Sequence, residues 1–553
     1  MAEKQKDGFI MQAGILALAG ILVRIIGILY RSPLVGIIGD EGNGYYNTAY
    51  TIYTIILLIS SYSIPSAISK VIADRLAKKE YRNAHKIFMG SFYYVIVVGG
   101  VASAVCFFGA NYLVGESSAK VLRVFAPTIF LSGLLGVLRG YFQAHRSMVQ
   151  TSFSQIIEQI MNAGVSIGAA YFLMRLVADR DPSTQAVYGA AGSALGTGMG
   201  VAIALLFMVF AYSVNRKMFQ RRREKDRHSE TLSYGQVFGL IFAMVTPVIL
   251  STCIYNMSNA LNLKIYCAIV ENRYQYTEAQ ATLYYGLFSG KASQITNIPI
   301  ALATAMSAAI IPTVAGTFGR GELESTREKI GEAIKTTMLI SIPAAFGILA
   351  LAKPVVFVLY PQRATVDLVS HILMVLAVTV VFYGLSTLSN AILQGTGYVN
   401  RPVIHASIAL VMEALVLVLL LQYTSWNLFA LAIATIVYSF LMCILNGFTM
   451  RQKLQYRQEY WTTFLLPTIA GTIMAAVAFG VYHGLYWVLF SQAVELTWTH
   501  NVICLIPSII VAVLIYFVLV IKFGAITERE LRNLPKGSTL VKIAKKMRLL
   551  KKK

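Results

Sequence analysis

Charged side chains lie inside long apolar segments of this 553-residue sequence, and most of them are basic. The main examples are Arg24, Arg31, Lys70 and Lys291. A charge within an apolar membrane segment is costly and usually marks a pathway or a binding site. Guanidinium and ammonium groups bind phosphate, Arg through two parallel hydrogen bonds and Lys as a point charge. The pattern therefore predicts a cationic cavity that binds an anion.

Further polar residues extend this set. Arg139, Lys264, Asn259 and Gln294 are secondary cavity candidates, and the acids Glu158 and Glu413 are candidates for ion or proton coupling. Simpler interpretations stay open for each of them. Basic side chains can extend from helix ends to the headgroups, acids can pair with cations inside a helix bundle, and polar stripes can join helices by hydrogen bonds.

The apolar segments carry no arrangement typical of catalysis. Paired carboxylates, a nucleophile next to a base, and clustered metal ligands do not occur in them. The five cysteines lie in or beside apolar segments and form no CxxC pair, which favours small buried hydrophobes over a disulfide framework or a zinc site. We therefore predict a protein that is not an enzyme and uses no catalytic residue, metal or cofactor.

The segments that carry these residues are long enough to cross a bilayer. The chain is 57% hydrophobic and 13% charged, whereas soluble domains have about 25% charged residues. A bilayer-spanning helix needs roughly 20 apolar residues. We predict an all-α integral membrane protein with about fourteen transmembrane helices, at 9–37, 45–73, 86–114, 121–143, 151–174, 186–213, 234–268, 281–316, 334–352, 368–395, 402–422, 427–450, 463–489 and 502–523.

The net charge of +22 is concentrated in alternate loops and in the tail. The basic residues of the predicted inside loops are Arg75, Lys78, Lys79, Arg82, Lys86, Arg146, Arg216, Lys217, Arg221, Arg222, Arg223, Lys225, Arg227, Arg320, Arg327, Lys329, Lys335, Arg401, Arg451, Lys453 and Arg457. This alternation places both termini in the cytoplasm of a cell-membrane protein and argues against nucleic-acid binding.

The two ends of the chain give further expectations. The final residues, LVKIAKKMRLLKKK, predict a basic amphipathic helix on anionic inner-leaflet lipids, with a disordered tail as the alternative. The N-terminus shows no small-residue cleavage site and is interpreted as mature protein.

Two halves of the chain look related. SIPSAISKVIA in the second span corresponds to MSAAIIPTVAG in the eighth, GLLGVLRGYFQA to GLSTLSNAILQG, and Glu158 to Glu413. This predicts an N-terminal six-helix lobe at 1–215, a basic cytoplasmic linker at 216–232, a C-terminal six-helix lobe at 233–450, two additional helices at 451–524 and a basic tail at 525–553. Two repeated lobes are typical of alternating-access transporters, and a monomer suffices for them.

The first seventy residues carry a family resemblance. Their features are the Arg-rich first span, the glycine-rich loop with Gly39, Gly42, Gly44 and Tyr45, and the run IPSAISK. This region resembles the stage V sporulation protein B and polysaccharide-exporter branch of the superfamily that includes the lipid II flippase MurJ and the MATE multidrug exporters. The resemblance implies two six-helix lobes around a cationic cavity, with two further helices forming a groove for a lipid tail.

The resemblance also implies roles for individual residues. Arg24, Arg31 and Lys291 would hold the pyrophosphate of a polyprenyl-linked sugar; Arg31 and Lys70 match the family pattern directly, while Lys291 stands where MurJ-like proteins place an arginine. Some relatives bind sodium through acidic residues of spans seven, eleven and twelve. Here span seven offers asparagines and span eleven offers Glu413, so the coupling ion stays open.

The function implied is a flippase for a polyprenyl-pyrophosphate-linked saccharide, lipid II or a related cell-envelope precursor. No GxxxxGK[ST] motif is present for ATP, so the force would come from membrane potential or an ion gradient. One alternative is a MATE-like ion-coupled multidrug exporter, which would need acids in its cavity. A membrane glycosyltransferase or ligase would need catalytic acids on outer loops, which offer the cluster Asp179–Asp181.

Overall fold

The computed structural model describes residues 2–62, 64–145, 147–224, 226, 231–490, 497–528, 531 and 537–546, and these ranges are helical with short connections. The α-helices are α1 (Ala2–Leu57), α2 (Ile64–Ala77), α3 (Tyr81–Phe108), α4 (Ala110–Leu113), α5 (Glu116–Ala144), α6 (Met148–Leu176), α7 (Pro182–Glu224), α8 (Tyr234–Arg273), α9 (Glu278–Gly286), α10 (Ser293–Gly319), α11 (Leu323–Leu359), α12 (Arg363–Gly395), α13 (Asn400–Tyr423), α14 (Leu428–Leu454), α15 (Leu466–Phe490), α16 (Trp498–Lys522) and α17 (Gly537–Lys546). Within the same ranges, π-helical segments cover Leu58–Tyr62, Leu287–Ala292 and Trp461–Leu465. Of the residues singled out above, Arg146, Lys225, Arg227 and the end of the tail, 547–553, lie outside the described residues.

Helix α1 is two helices joined at one residue. Gly39 has φ 69° and ψ −178°, and the chain is helical on both sides of it. A positive φ is costly for residues with a Cβ and routine for glycine. The glycine therefore separates the first predicted span from the second, at the position where the sequence predicts their connecting loop.

Eleven helices in the described part of the chain are long and apolar enough to cross a membrane, judged by length and composition. The fourteen predicted spans differ from this number for two reasons. The first two spans lie on either side of Gly39 and are counted together, as Leu22–Ser61. The predicted spans 234–268 and 281–316 correspond to α8 and to the α9–α10 region, and neither is among the eleven. Within α8, only Tyr234–Ala243 is counted, as a shorter apolar helix. The all-α, multi-pass architecture is confirmed, and the count of fourteen stays a prediction.

The chain divides into two compact units, Met1–Gly286 and Leu287–Lys553. The boundary differs from the predicted linker at 216–232, whose first residues continue helix α7 to Glu224. The next helix begins at a capping box, in which the Ser233 hydroxyl accepts from the Gln236 amide and the Gln236 side chain accepts from the Ser233 amide. The lobes inferred from the internal repeat remain a prediction.

In the first unit, α6 and α7 pack with their backbones in close contact. A Cβ at Gly192, Gly196 or Gly200 would lie within 2.6 Å of α6 atoms, at Ala169, Ser166 and Glu158 respectively. Small residues four apart allow such close approach of membrane helices. This seam fixes the position of Glu158, one of the candidate coupling acids.

In the second unit, the tail helix α17 packs on the end of α16. Val541 is buried with Ile521 and Leu531, and the Lys545 ammonium lies 2.8 Å from the Glu528 carboxylate. Lys542 and Lys546 are exposed. The segment 537–546 is therefore helical with a basic exposed face, as predicted for the first part of the tail helix; its binding to lipid stays a prediction.

Candidate functional site

The two arginines of the first predicted span lie on α1 before the break at Gly39. The Arg24 side chain is exposed, whereas Arg31 is half-buried with its guanidinium carbon 6.0 Å from the centroid of the Tyr50 ring. That distance is at the outer limit of a cation–π contact. Seven residues are about two helical turns, so both side chains project from one side of the helix. Lys70 is exposed on α2 in the same unit.

The glycine-rich segment that carries the family resemblance, predicted from the sequence as a loop, is helical apart from Gly39 and packs the second part of α1 against α9. A Cβ on Gly44 would lie 2.6 Å from the carbonyl oxygen of Thr282, and one on Gly286 would lie 2.6 Å from the Gly44 Cα. The Tyr45 hydroxyl donates to the Glu41 carboxylate (2.8 Å) and lies 3.1 Å from the Ser183 hydroxyl. The motif therefore has a structural role in this unit: Gly39 interrupts α1, and Gly44 allows α1 to pack closely against α9.

Arg139 and Glu158 form an ion pair between α5 and α6. The Arg139 guanidinium donates to the Glu158 carboxylate (2.7 Å) and to the Ser154 hydroxyl (2.8 Å), and both charged side chains are largely buried, with 14% and 29% of their surfaces exposed. The pairing of Glu158 with a bundle cation, one of the simpler interpretations of the sequence, is what the structure shows. The Arg139 side chain is therefore held inside the helix bundle and does not extend from the helix end toward the headgroups.

Removing one partner of this pair is expected to destabilise the protein. We expect Glu158→Leu to lower the free energy of unfolding by about 2 kcal/mol, because Arg139 would keep its charge without its carboxylate. The double variant Arg139→Met/Glu158→Leu should recover most of the loss. Thermal unfolding of the purified protein in detergent measures both effects. As a matched control, Glu116→Gln breaks the exposed Glu116–Lys120 pair of α5 and should change stability by about 0.5 kcal/mol or less; equal losses in the two single variants would contradict the assignment.

Lys291 is buried in the second unit, with 1% of its surface exposed. Its ammonium donates to the side-chain oxygens of Gln362 (3.1 Å) and Thr365 (3.2 Å) and lies 5.5 Å from the centroid of the Tyr360 ring. These partners come from the connection between α11 and α12 and from the first turn of α12. Sequence reasoning missed them, because nothing local marks residues about seventy positions away as neighbours.

The secondary candidates have mixed surroundings. Lys264 and Asn259 are exposed on α8, and the backbone oxygen of Asn259 accepts a hydrogen bond from the Tyr285 hydroxyl (2.9 Å). The Gln294 amide is half-buried and donates to the Ser289 carbonyl over 3.4 Å. The Gln294 side chain therefore makes a contact within its own unit.

Glu413 is buried on α13, with 1% of its surface exposed, and lies close enough to Tyr383 to interact electrostatically with its phenol. The same helix carries His405, whose Nδ1 lies 2.8 Å from the Asn446 side-chain oxygen. The Asn446 amide in turn donates to Ser389 (2.9 Å) and Asn390 (2.7 Å). This buried network joins α12, α13 and α14 and was not predicted; its sequence signal is a histidine and an asparagine within otherwise apolar helices.

Within the described ranges, no group of three or more His, Cys, Asp or Glu side chains is placed to hold a metal ion. The basic candidates are distributed over both units, with Arg24, Arg31 and Lys70 in the first and Lys291 in the second. Guanidinium and ammonium groups of this kind are suited to binding anions.

We compared the sequence and the fold with those of known proteins. The family model described as lipid II flippase MurJ matches residues 86–497. The lipid II flippase MurJ of Bacillus subtilis is 24% identical over 453 residues, covering 77% of this chain and 81% of that protein, and stage V sporulation protein B of the same organism is 22% identical, covering 96% and 98%. A solved structure of lipid II flippase MurJ in an inward closed conformation covers 91% of this chain and 97% of its own, with a TM-score of 0.64 and 14% identity. Because the family model spans most of the sequence, the chain belongs to the MurJ family, a family of multi-pass membrane transporters and not of enzymes.

Proposed function

We propose that this protein moves a polyprenyl-pyrophosphate-linked saccharide from the cytoplasmic to the outer leaflet, with lipid II or a related cell-envelope precursor as the substrate. Membership of the MurJ family supports the transport of a lipid-linked precursor. The observation that carries the proposal is the position of Arg24 and Arg31 on one side of α1, with the Arg24 side chain exposed. A dianionic headgroup is the ligand that such a pair can bind.

In the proposed mechanism, Arg24 and Arg31 hold the pyrophosphate, and Lys70 and Lys291 contribute charge as the protein alternates between access states. The headgroup crosses through the protein while the polyprenyl tail stays in the bilayer, with α15 and α16 offering it a groove. Outward movement of a negative charge is favoured by an inside-negative potential, by about 2.3 kcal/mol per charge at 100 mV. Membrane potential therefore contributes to the driving force in this proposal, alone or together with an ion gradient.

The coupling acid of the proposal is Glu413. Glu158 is paired with Arg139, and Glu413 is buried near the phenol of Tyr383 in the middle of a long apolar helix. A carboxyl group in such a position can change its protonation state or ion occupancy during transport. The engagement of Glu158 also weakens the alternative of a cation exporter, which depends on free acids.

The remaining features of the proposal concern orientation and partners. Both termini lie in the cytoplasm of a cell-membrane protein that acts as a monomer. The basic exposed face of α17, with Lys542 and Lys546, binds anionic inner-leaflet lipids. Protease protection of tags at the two termini in intact cells tests the orientation.

Rescue of cells depleted of their own lipid II flippase tests the substrate. We expect the wild-type protein to restore growth, because its basic residues would accept the same pyrophosphate. Expression is verified by membrane immunoblot, and Arg24→Ala serves as the negative control. Absence of growth with normal expression would contradict lipid II as the substrate and point to another lipid-linked saccharide, which a liposome assay with that lipid then tests.

A further inference from the structure

The first unit contains a cavity of about 280 Å³ at the ends of four of its helices. Its walls come from the end of α2, the start of α3, the end of α5 and the last turns of α7. Residues that shape it are Tyr81, His85, Tyr141, His145, Tyr212, Arg216, Phe219, Arg222 and Arg223. None of the residues proposed above for pyrophosphate binding lines it.

Three of the lining residues are arginines from the end of α7, namely Arg216, Arg222 and Arg223. No described aspartate or glutamate lines the cavity. The carboxylates next to the lining residues along the chain have other partners: Glu80 pairs with Arg75 (3.1 Å), Glu224 accepts from the Gln220 amide (3.1 Å), and Asp226 accepts from the Arg82 backbone amide (2.9 Å). The cavity therefore concentrates positive charge that its own lining does not neutralise.

The positive charge of the cavity affects the pKa of a histidine in its wall. His145 ends α5 and takes part in the cavity wall. Burial lowers the pKa of His145 below its ordinary value, and the Arg222 guanidinium lowers it further. Protonating the histidine is unfavourable mainly because the ring is buried, and the positive Arg222 adds to this. An anion in the cavity would relieve this repulsion.

Most of the other lining side chains carry aromatic rings, and several of these rings pack on one another. The His145 ring lies 4.5 Å from the Tyr141 ring and 4.8 Å from the Phe219 ring, centroid to centroid. Phe219 stacks on Tyr212 at 5.9 Å. One part of the cavity thus offers arginines and the other part offers ring faces, a combination that suits a ligand with an anionic group attached to an organic body.

We propose that this cavity binds an organic phosphate and thereby controls the position of the end of α7. The arginines bind the phosphate oxygens, and the rings contact the organic part. The ligand is either the headgroup of an anionic phospholipid or a small soluble phosphate ester, which share the same chemistry. Because α7 leads into the predicted basic linker, a ligand that ties its last turns to α2, α3 and α5 restrains the connection to the next helix.

The test measures phosphate binding to the full-length protein in two arms. In the soluble arm, glycerol 1-phosphate is titrated into protein in phosphate-free, uncharged detergent and followed by calorimetry. In the lipid arm, native mass spectrometry counts phosphatidylglycerol molecules retained from nanodiscs that contain phosphatidylglycerol and phosphatidylcholine. The variant Arg222→Gln/Arg223→Gln removes cavity charge. The matched control is Arg221→Gln, which removes an adjacent exposed arginine that does not line the cavity.

We expect binding in at least one arm, about tenfold or more weaker in Arg222→Gln/Arg223→Gln and unchanged within about twofold in Arg221→Gln. Binding in the soluble arm alone identifies a soluble ester, and binding in the lipid arm alone identifies a headgroup; both outcomes support the site. No binding in either arm, or an equal loss in Arg221→Gln, overturns it. Should the double variant fail to fold, Tyr212→Ala and Arg216→Gln test the same cavity from another side, and retention of full binding in both would overturn the proposal.

Discussion

Replacing Arg24 with alanine is expected to reduce transport of a polyprenyl-pyrophosphate-linked saccharide in liposomes by about 100-fold, while the yield and unfolding temperature of the protein stay near wild type. The arginine is exposed on α1, so its removal leaves no buried group without a partner. Loss of charge-assisted hydrogen bonds to a phosphate accounts for an effect of this size. The measurement is the initial rate of headgroup translocation at equal amounts of reconstituted protein.

Two further variants make the Arg24 prediction specific. Arg24→Lys keeps the charge but loses the two parallel hydrogen bonds, so it should fall between wild type and alanine. Arg401→Ala removes an exposed basic residue at the start of α13 and should leave the rate unchanged. If Arg24→Ala translocates substrate at the wild-type rate, Arg24 does not hold the pyrophosphate.

Replacing Gly44 with alanine is expected to give one of the larger losses of stability that a single added methyl group can cause in this chain. The new Cβ would lie 2.6 Å from the Thr282 carbonyl oxygen and 2.9 Å from the Leu283 Cα, and these are backbone atoms that cannot rotate away. Overpacking of this kind costs about 1–3 kcal/mol or more. Thermal unfolding in detergent should show a clear decrease of the unfolding temperature, and transport should fall with it.

Gly36 provides the control for Gly44. It lies in the same long helix α1, and a Cβ at this position meets nothing within 4 Å. Gly36→Ala should therefore be neutral or slightly stabilising, because alanine favours the helix over the unfolded chain. An unfolding temperature for Gly44→Ala equal to that of Gly36→Ala would show that α1 and α9 are not packed as described.

The sequence allowed good predictions where the physical cause is local. Long apolar segments require helices in a bilayer, so the helices fall on the predicted spans to within a few turns. The paired alternative for Glu158 also followed from the sequence, because a carboxylate in an apolar segment needs a partner. Its identity, Arg139, did not follow, since the pairing depends on how α5 and α6 face each other.

Features that depend on distant neighbours were not predictable from one sequence. The partners of Lys291 come from the connection between α11 and α12, and the His405–Asn446 network joins helices about forty residues apart. The glycine-rich segment was predicted as a loop and a family feature, whereas the structure shows it as helix that packs Gly44 against Gly286. The arginines of α7 were interpreted as a topology signal, and the cavity that they line depends on three other helices.

The break at Gly39 has a mechanical consequence for the arginines of α1. At 1.5 Å per residue, Arg24 lies about 22 Å from this glycine along the helix axis and Arg31 about 12 Å. A tilt of about 10° at Gly39 therefore moves Arg24 by about 4 Å and Arg31 by about 2 Å, since displacement grows with distance from a pivot. If the segment of α1 before Gly39 moves as one helix, a small torsional change at this single residue displaces both positive charges by unequal amounts while the spacing between them stays the same.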